Sequence, residues 1–182
     1  MNEIGLRKML EDLKVRAGLV AVKTGTEVED MDFQEIADLR RISAGVVPLY
    51  VKVGGPEARS DIRACLNLGV DTIIAPMIES PYALKNFMAT MDELDPAHCV
   101  DRGINLETIT AFQNLNPILT SPAARGLSQV TAARSDLSGS MDLPADHDRV
   151  LEVCAVMIAR CREYDLKTSV GGNIHRGILA EI

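Results

Sequence analysis

Acidic residues at the ends of apolar runs are the feature of this sequence with the most chemical content. Glu107 closes GINLET and Asp136 lies in QVTAARSDLS, each within or just after a stretch where an unpaired charge is costly. Two carboxylates converging from neighbouring strands, completed by water and an oxygen-rich ligand, suit a hard divalent cation such as Mg²⁺. Ion pairing with Lys52 or Arg134 would satisfy them too, so spacing alone leaves both readings open.

Polar residues end the other runs as well. Thr24, Gly25, Thr26, Glu27 and Glu29 follow the first, Lys52, Gly54 and Gly55 close the second, and Pro76 and Glu79 follow the third. Asn105 stands two residues before Glu107, Arg134 two before Asp136, and the sixth run ends in Gly171, Gly172, Asn173 and His175. From this pattern Gly54, Gly55, Glu79, Asn105 and Arg134 are candidates for holding a substrate. The glycine pairs let backbone approach a ligand closely, or simply make tight loops. Lys23 and Lys52 point toward one region, either as charged partners of the acids or as an amine that condenses with a carbonyl. His98 and His147 sit in polar loops and are expected to be solvated, while His175 ends a strand. No histidine has metal-ligand spacing, and neither a Ser-His-Asp order nor a nucleophile elbow is present.

The elements that must position these residues alternate. β-branched and apolar runs begin at Leu19, Val46, Asp71, Gly103, Gln129 and Lys167, at intervals of roughly 25 to 40 residues, enough for a strand, a helix and two loops. Helical periodicity fills the gaps in DFQEIADLRRIS, EARSDIRACLNLG, SPYALKNFMATMDEL, ITAFQNLNPILTS and HDRVLEVCAVMIARCREYD. Such alternation predicts parallel βαβ units, with strands apolar on both faces. In that architecture ligands bind at the carboxyl ends of the strands, where the acids stand.

Of the 182 residues, 47% are hydrophobic and 25% charged, which fits an ordinary globular protein. With 26 acids against 19 bases the net charge is −7, which argues against nucleic acid or an anionic membrane as partner. No run approaches the roughly 18 apolar residues of a membrane span, and the opening MNEIGLRKMLEDLKVRAG has no signal-peptide pattern. Cys65, Cys99, Cys154 and Cys161 form no metal knuckle or CxxC, so each is expected as a small buried residue in a reducing cytoplasm.

Taken together, VKVGGPEARSDI, LGVDTIIAPMIESPYAL, INLETITAFQNL, ARSDLSGSM and SVGGNI resemble, in that order, the HpcH/HpaI aldolase and citrate lyase β-subunit family of TIM-barrel lyases. The resemblance runs from about Leu19 to Ile174. It implies a divalent-metal-dependent lyase, using Mg²⁺ or Mn²⁺, that makes or breaks a carbon–carbon bond beside a 2-oxo acid or acyl thioester through a metal-stabilised enolate. It further implies Glu107 and Asp136 as metal ligands and Lys52 as the cation that holds the enolate oxygen. Three positions depart from the family: no histidine follows the first strand, leaving Glu27 or Glu29 as the base; Lys52 replaces an arginine; and Asp142 stands where glycine is expected. Alternatives are a phosphate-binding barrel isomerase or synthase, suggested by SVGGN, and a weakened relative acting as a binding or assembly module.

A closed barrel of this type takes about 250 residues and eight βα units. Residues 1–182 therefore read as one α/β domain, an incomplete TIM-type parallel barrel of about six units. A homo-oligomer that covers the open edges, or a shortened form of the chain, is the matching expectation.

Overall fold

In a computed structural model, which describes residues 2–175, 177 and 178, six parallel strands form one sheet in the order β1 to β6, curled into an open TIM-type barrel with helices along its convex side. The strands are β1 Val22–Gly25, β2 Leu49–Lys52, β3 Thr72–Ala75, β4 Asp101–Leu106, β5 Gln129–Ala133 and β6 Lys167–Gly171. Every run read as a strand overlaps one; β4 starts two residues before its run, and the other five strands are shorter than theirs.

Register explains how one sheet carries both a core and a site. Leu49, Val51, Ile73, Ala75, Ile104, Leu106, Val130 and Ala132 fall on one face and belong to the buried core, together with Ile36, Ile62, Leu84, Phe87, Met157 and other helix residues. On the opposite face the same pairings align Lys23 with Tyr50, Lys52 with Ile74 and Gly103, and Asn105 with Thr131 and Ser169. The expectation of strands apolar on both faces is thus corrected. Their β-branched residues pack on helices, while the concave face is largely polar.

The helices begin where local chemistry lets them. Helix α1, Glu3–Ala17, is capped by Asn2 and lies on the periphery with no buried residue. Helix α2, Phe33–Ser43, starts at a capping box in which Asp32 and Glu35 satisfy each other's backbone N–H groups. Helix α3 spans Arg59–Leu68, and α4, Pro81–Leu94, has Ser80 as its cap and Pro81 in its first turn. The ITAFQNLNPILTS stretch, read as one helix, breaks into α5, Ile109–Gln113, and α6, Leu115–Thr120. Pro117 supplies the reason, since it cannot donate to the carbonyl of Gln113. A 3₁₀ turn, Pro122–Gly126, leads into β5.

Past β5 the strand reading of ARSDLS is also corrected. The chain turns at Ala133 into a short helix, α7, Arg134–Ser140, which places Asp136 in a helical first turn where an acid is favoured. Helix α8, Asp148–Arg162, then returns to β6. Asp142 adopts φ of 53°, the left-handed conformation that glycine takes most cheaply, which explains why glycine is the expected residue there. Cys65, Cys154 and Cys161 are buried, and burial pushes their thiols up to about 12, 11 and 11. Cys99 is exposed, contrary to expectation.

Candidate functional site

At the carboxyl end of β4, Glu107 is held in a fixed position. It is 1% exposed, its Oε1 accepts the Met77 N–H at 2.7 Å, and its Oε2 accepts the Asn105 Nδ2 donor at 2.9 Å. Met77 provides that donor by adopting φ of 53°, a conformation that costs a methionine about 1 kcal/mol or more. Asn105, equally buried, keeps its Oδ1 without a partner among the described residues. An acceptor stranded in this way, next to a fixed carboxylate, awaits a donor or a cation.

Lys52 approaches from β2. It is 5% exposed, and its Nζ lies 3.0 Å from Glu27 Oε2 in the loop after β1. Burial opposes its charge, but the Glu27 hydrogen bond and the charges of Glu107, Glu27 and Glu29 outweigh that, so its pKa rises above the ordinary amine value. Glu29 reaches the same place only because Gly25 has no side chain, since a Cβ there would stand 2.7 Å from Glu29 Oε2 and 3.0 Å from the Lys52 carbonyl. Asp136 is half-buried and, among the described residues, makes neither hydrogen bond nor ion pair. Its charge and that of Glu107 are both felt by Lys23, which rises from β1 on the same concave face.

The structure therefore gathers Lys52, Glu27, Glu29, Asn105, Glu107 and Asp136, six of the ten residues assigned from sequence. Arg134 stands apart. It is fully buried, pairs with Asp146 and donates to the Ala145 carbonyl, while Asp146 also bonds His175 Nε2 at 2.8 Å. The His175 hydrogen bond, with its charge and the Arg134 interactions, holds the Asp146 carboxyl below the usual range against a smaller effect of burial. Arg134 thus locks the loop before α8 to the end of β5, and Asp146 extends the link to His175 in the segment after β6.

Glu79 accepts the Thr108 hydroxyl at 2.5 Å, and its carbonyl accepts Asn114 Nδ2, joining the loop after β3 to α5 and α6. The Gly54 N–H is likewise spoken for by Asp61 Oδ2 at 3.0 Å, whereas Gly55 borders open space. Gly172, at φ of 83°, packs against the α7 backbone so closely that a Cβ would lie 2.6 Å from the Ser135 nitrogen. The approach that this glycine permits is to the chain itself. His98 and His147 are exposed, His147 as the cap of α8.

Sequence reasoning missed Asp61 and Met77. Asp61, in the first turn of α3, ties together the loops after β1 and β2, accepting Thr26 Oγ1 at 2.8 Å as well as the Gly54 N–H. Asp61→Ala is expected to lower stability by about 1–3 kcal/mol in urea unfolding, with an unchanged denaturant slope. A change below about 0.5 kcal/mol would show that the clasp is idle.

No known family's sequence profile matches the chain, and no curated protein matches it in sequence. Solved structures do match. An HpcH/HpaI aldolase/citrate lyase family protein from Burkholderia cenocepacia superposes with a TM-score of 0.75 at 17% identity, over 93% of this chain and 75% of that one. The citrate synthase SbnG gives 0.76 at 16%, over 98% and 77%. An HpcH/HpaI aldolase from Desulfitobacterium hafniense gives 0.75 at 14%, over 96% and 76%. At these identities the likeness is one of fold, and it is a likeness to the family that the sequence motifs resemble.

Proposed function

We propose that this chain is a divalent-metal-dependent carbon–carbon lyase of the aldolase type, acting on a 2-oxo acid or an acyl thioester at the concave face. The observation that carries the reading is the charge of the site. Two ammonium groups, Lys23 and Lys52, face four carboxylates, Glu27, Glu29, Glu107 and Asp136, leaving formally two negative charges on the concave face, where an anionic substrate would bind. A divalent cation restores neutrality.

The residues fit such a cation. Glu107 and Asp136 would hold it, with the stranded Asn105 Oδ1 as a further oxygen donor, and this all-oxygen set suits Mg²⁺ or Mn²⁺. Among the described residues no three His, Cys, Asp or Glu side chains form a metal cage, so most of the coordination shell is left to water and substrate, as Mg²⁺ prefers. When bound, the cation supplies Lewis-acid polarisation of the substrate's oxygens.

This chain's own groups do the rest. The Asn105 and Met77 donors keep Glu107 oriented, and Lys52 is held charged by Glu27 to meet the negative charge that develops on the keto oxygen. Glu27 is therefore engaged as the partner of Lys52, which leaves proton transfer to another group. A small-molecule substrate is sufficient for this site.

The test is calorimetric and uses the intact chain. Mn²⁺ is titrated with and without oxalate, which mimics the enolate of a 2-oxo acid, and aldol cleavage and condensation are assayed with pyruvate and simple aldehydes. Oxalate that binds only with the metal, together with metal-dependent turnover, supports the proposal. Absence of both removes it.

A further inference from the structure

Glu27 is committed to Lys52, and among the described residues the charged side chains of the concave site with neither hydrogen bond nor ion pair are Lys23, Glu29 and Asp136, of which Lys23 is the one amine. Lys23 shares the face with Lys52, its β1 register pairing it with Tyr50, two residue pairs below the Gly25–Lys52 pair. Among the described residues it is the lysine of that face with neither hydrogen bond nor ion pair, because Lys52 holds Glu27 and Lys167 lies 3.8 Å from Asp101. Its end reaches solvent in the open concavity. The charged groups that face it are Lys52 from β2, Glu29 from the loop after β1, Glu107 from β4 and Asp136 from α7.

We infer that the Lys23 amine is the proton-transfer group of this site, removing a proton from the carbon beside the substrate carbonyl and returning it there. This rests on the lyase reading above. In the forward step Lys23 Nζ takes the proton from C3 of a 2-oxo acid, the C–H electron pair becomes the C2–C3 double bond, and the carbonyl pair moves onto the keto oxygen beside Lys52. In the reverse step the ammonium gives a proton back to C3. No oxidant or further reactant enters.

The surroundings make the amine fit for the task. The protein curled around it disfavours its charge most, the neighbouring Lys52 charge adds to that, and Glu29, Glu107 and Asp136 oppose both, so its pKa falls below the ordinary 10.5. A lysine moved in that direction spends more time neutral near physiological pH, as a general base must. Lys52, held charged by Glu27, cannot take this part.

The experiment follows exchange of the pyruvate methyl protons in D₂O by NMR with Mg²⁺ present, in the wild-type chain and in Lys23→Arg, which keeps a cation but does not release its proton. Exchange is expected to fall about 100-fold or more, while metal-dependent oxalate affinity stays within about twofold. In parallel, the protein without metal is labelled with ¹³C at the lysine ε carbons, and one resonance, absent in Lys23→Arg, is expected to titrate below the rest. Exchange within about threefold of wild type in the variant, or a Lys23 resonance that titrates with the other lysines, overturns the assignment. A wild-type chain that binds oxalate with metal but exchanges nothing overturns Lys23 alone; one that neither binds nor exchanges overturns the lyase reading along with it.

Discussion

Glu107→Gln is expected to leave the protein folded and to weaken Mn²⁺ affinity, measured with oxalate present, by at least about 100-fold. The two halves of that outcome have separate causes. The glutamine carbonyl still accepts the Met77 N–H, and its amide N–H₂ finds an acceptor in the Asn105 Oδ1, which has no partner among the described residues and needs only a half-turn of the Asn105 amide to meet it. Thermal stability therefore changes by no more than about 3 °C. What disappears is one of the two carboxylate charges proposed to hold the cation. Glu107→Ala makes a useful contrast, since it strands the Met77 N–H and Asn105 Nδ2 in a site 1% exposed and should cost about 2–5 kcal/mol as well. Unchanged affinity in Glu107→Gln would remove this residue from the metal site.

Phe87→Ala is expected to do the reverse, lowering stability by about 3–5 kcal/mol and sparing the site. Phe87 lies on α4 with no exposed surface, in the core shared with Leu84, Met91, Ile73 and Ile104 on the convex side of the sheet. Removing the ring leaves a cavity that close-packed neighbours fill only partly. For a chain of this length the loss amounts to roughly 6–20 °C in Tm. At a temperature where the variant is still folded, oxalate affinity should match that of the wild type, because the ring is on the opposite face of the sheet from Glu107 and Lys52. A shift below about 1 kcal/mol would mean that the core closes over the gap more completely than rigid packing allows.

Much of this architecture is legible in the residues themselves. Six β-branched runs separated by helical periodicity require parallel βαβ units, and acids at the ends of such runs mark where a site must lie. Boundaries are less legible, because they depend on single residues such as Pro117 and on the turn at Ala133. The polar concave face could have been found by counting alternate residues from Lys52 and Asn105, but short apolar runs conceal that parity until register is known.

The partners of the charges are another matter. Sequence placed Lys52, Arg134, Glu107 and Asp136 at strand ends; Lys52 ends β2 and Glu107 follows β4, whereas Arg134 and Asp136 stand in the first turn of α7, just after β5. It left open which cation serves which acid, since any of them lies within a side chain's reach once the strands are side by side. Tertiary structure made the choices: Asp146 and His175 draw Arg134 away into a buried lock, Glu27 folds back over Gly25's neighbour Lys52, and among the described residues Asp136 and Lys23 stay unpaired. Ion pairs form between loops that are distant in the chain, and their geometry is set by how those loops pack, which no local pattern of residue types encodes.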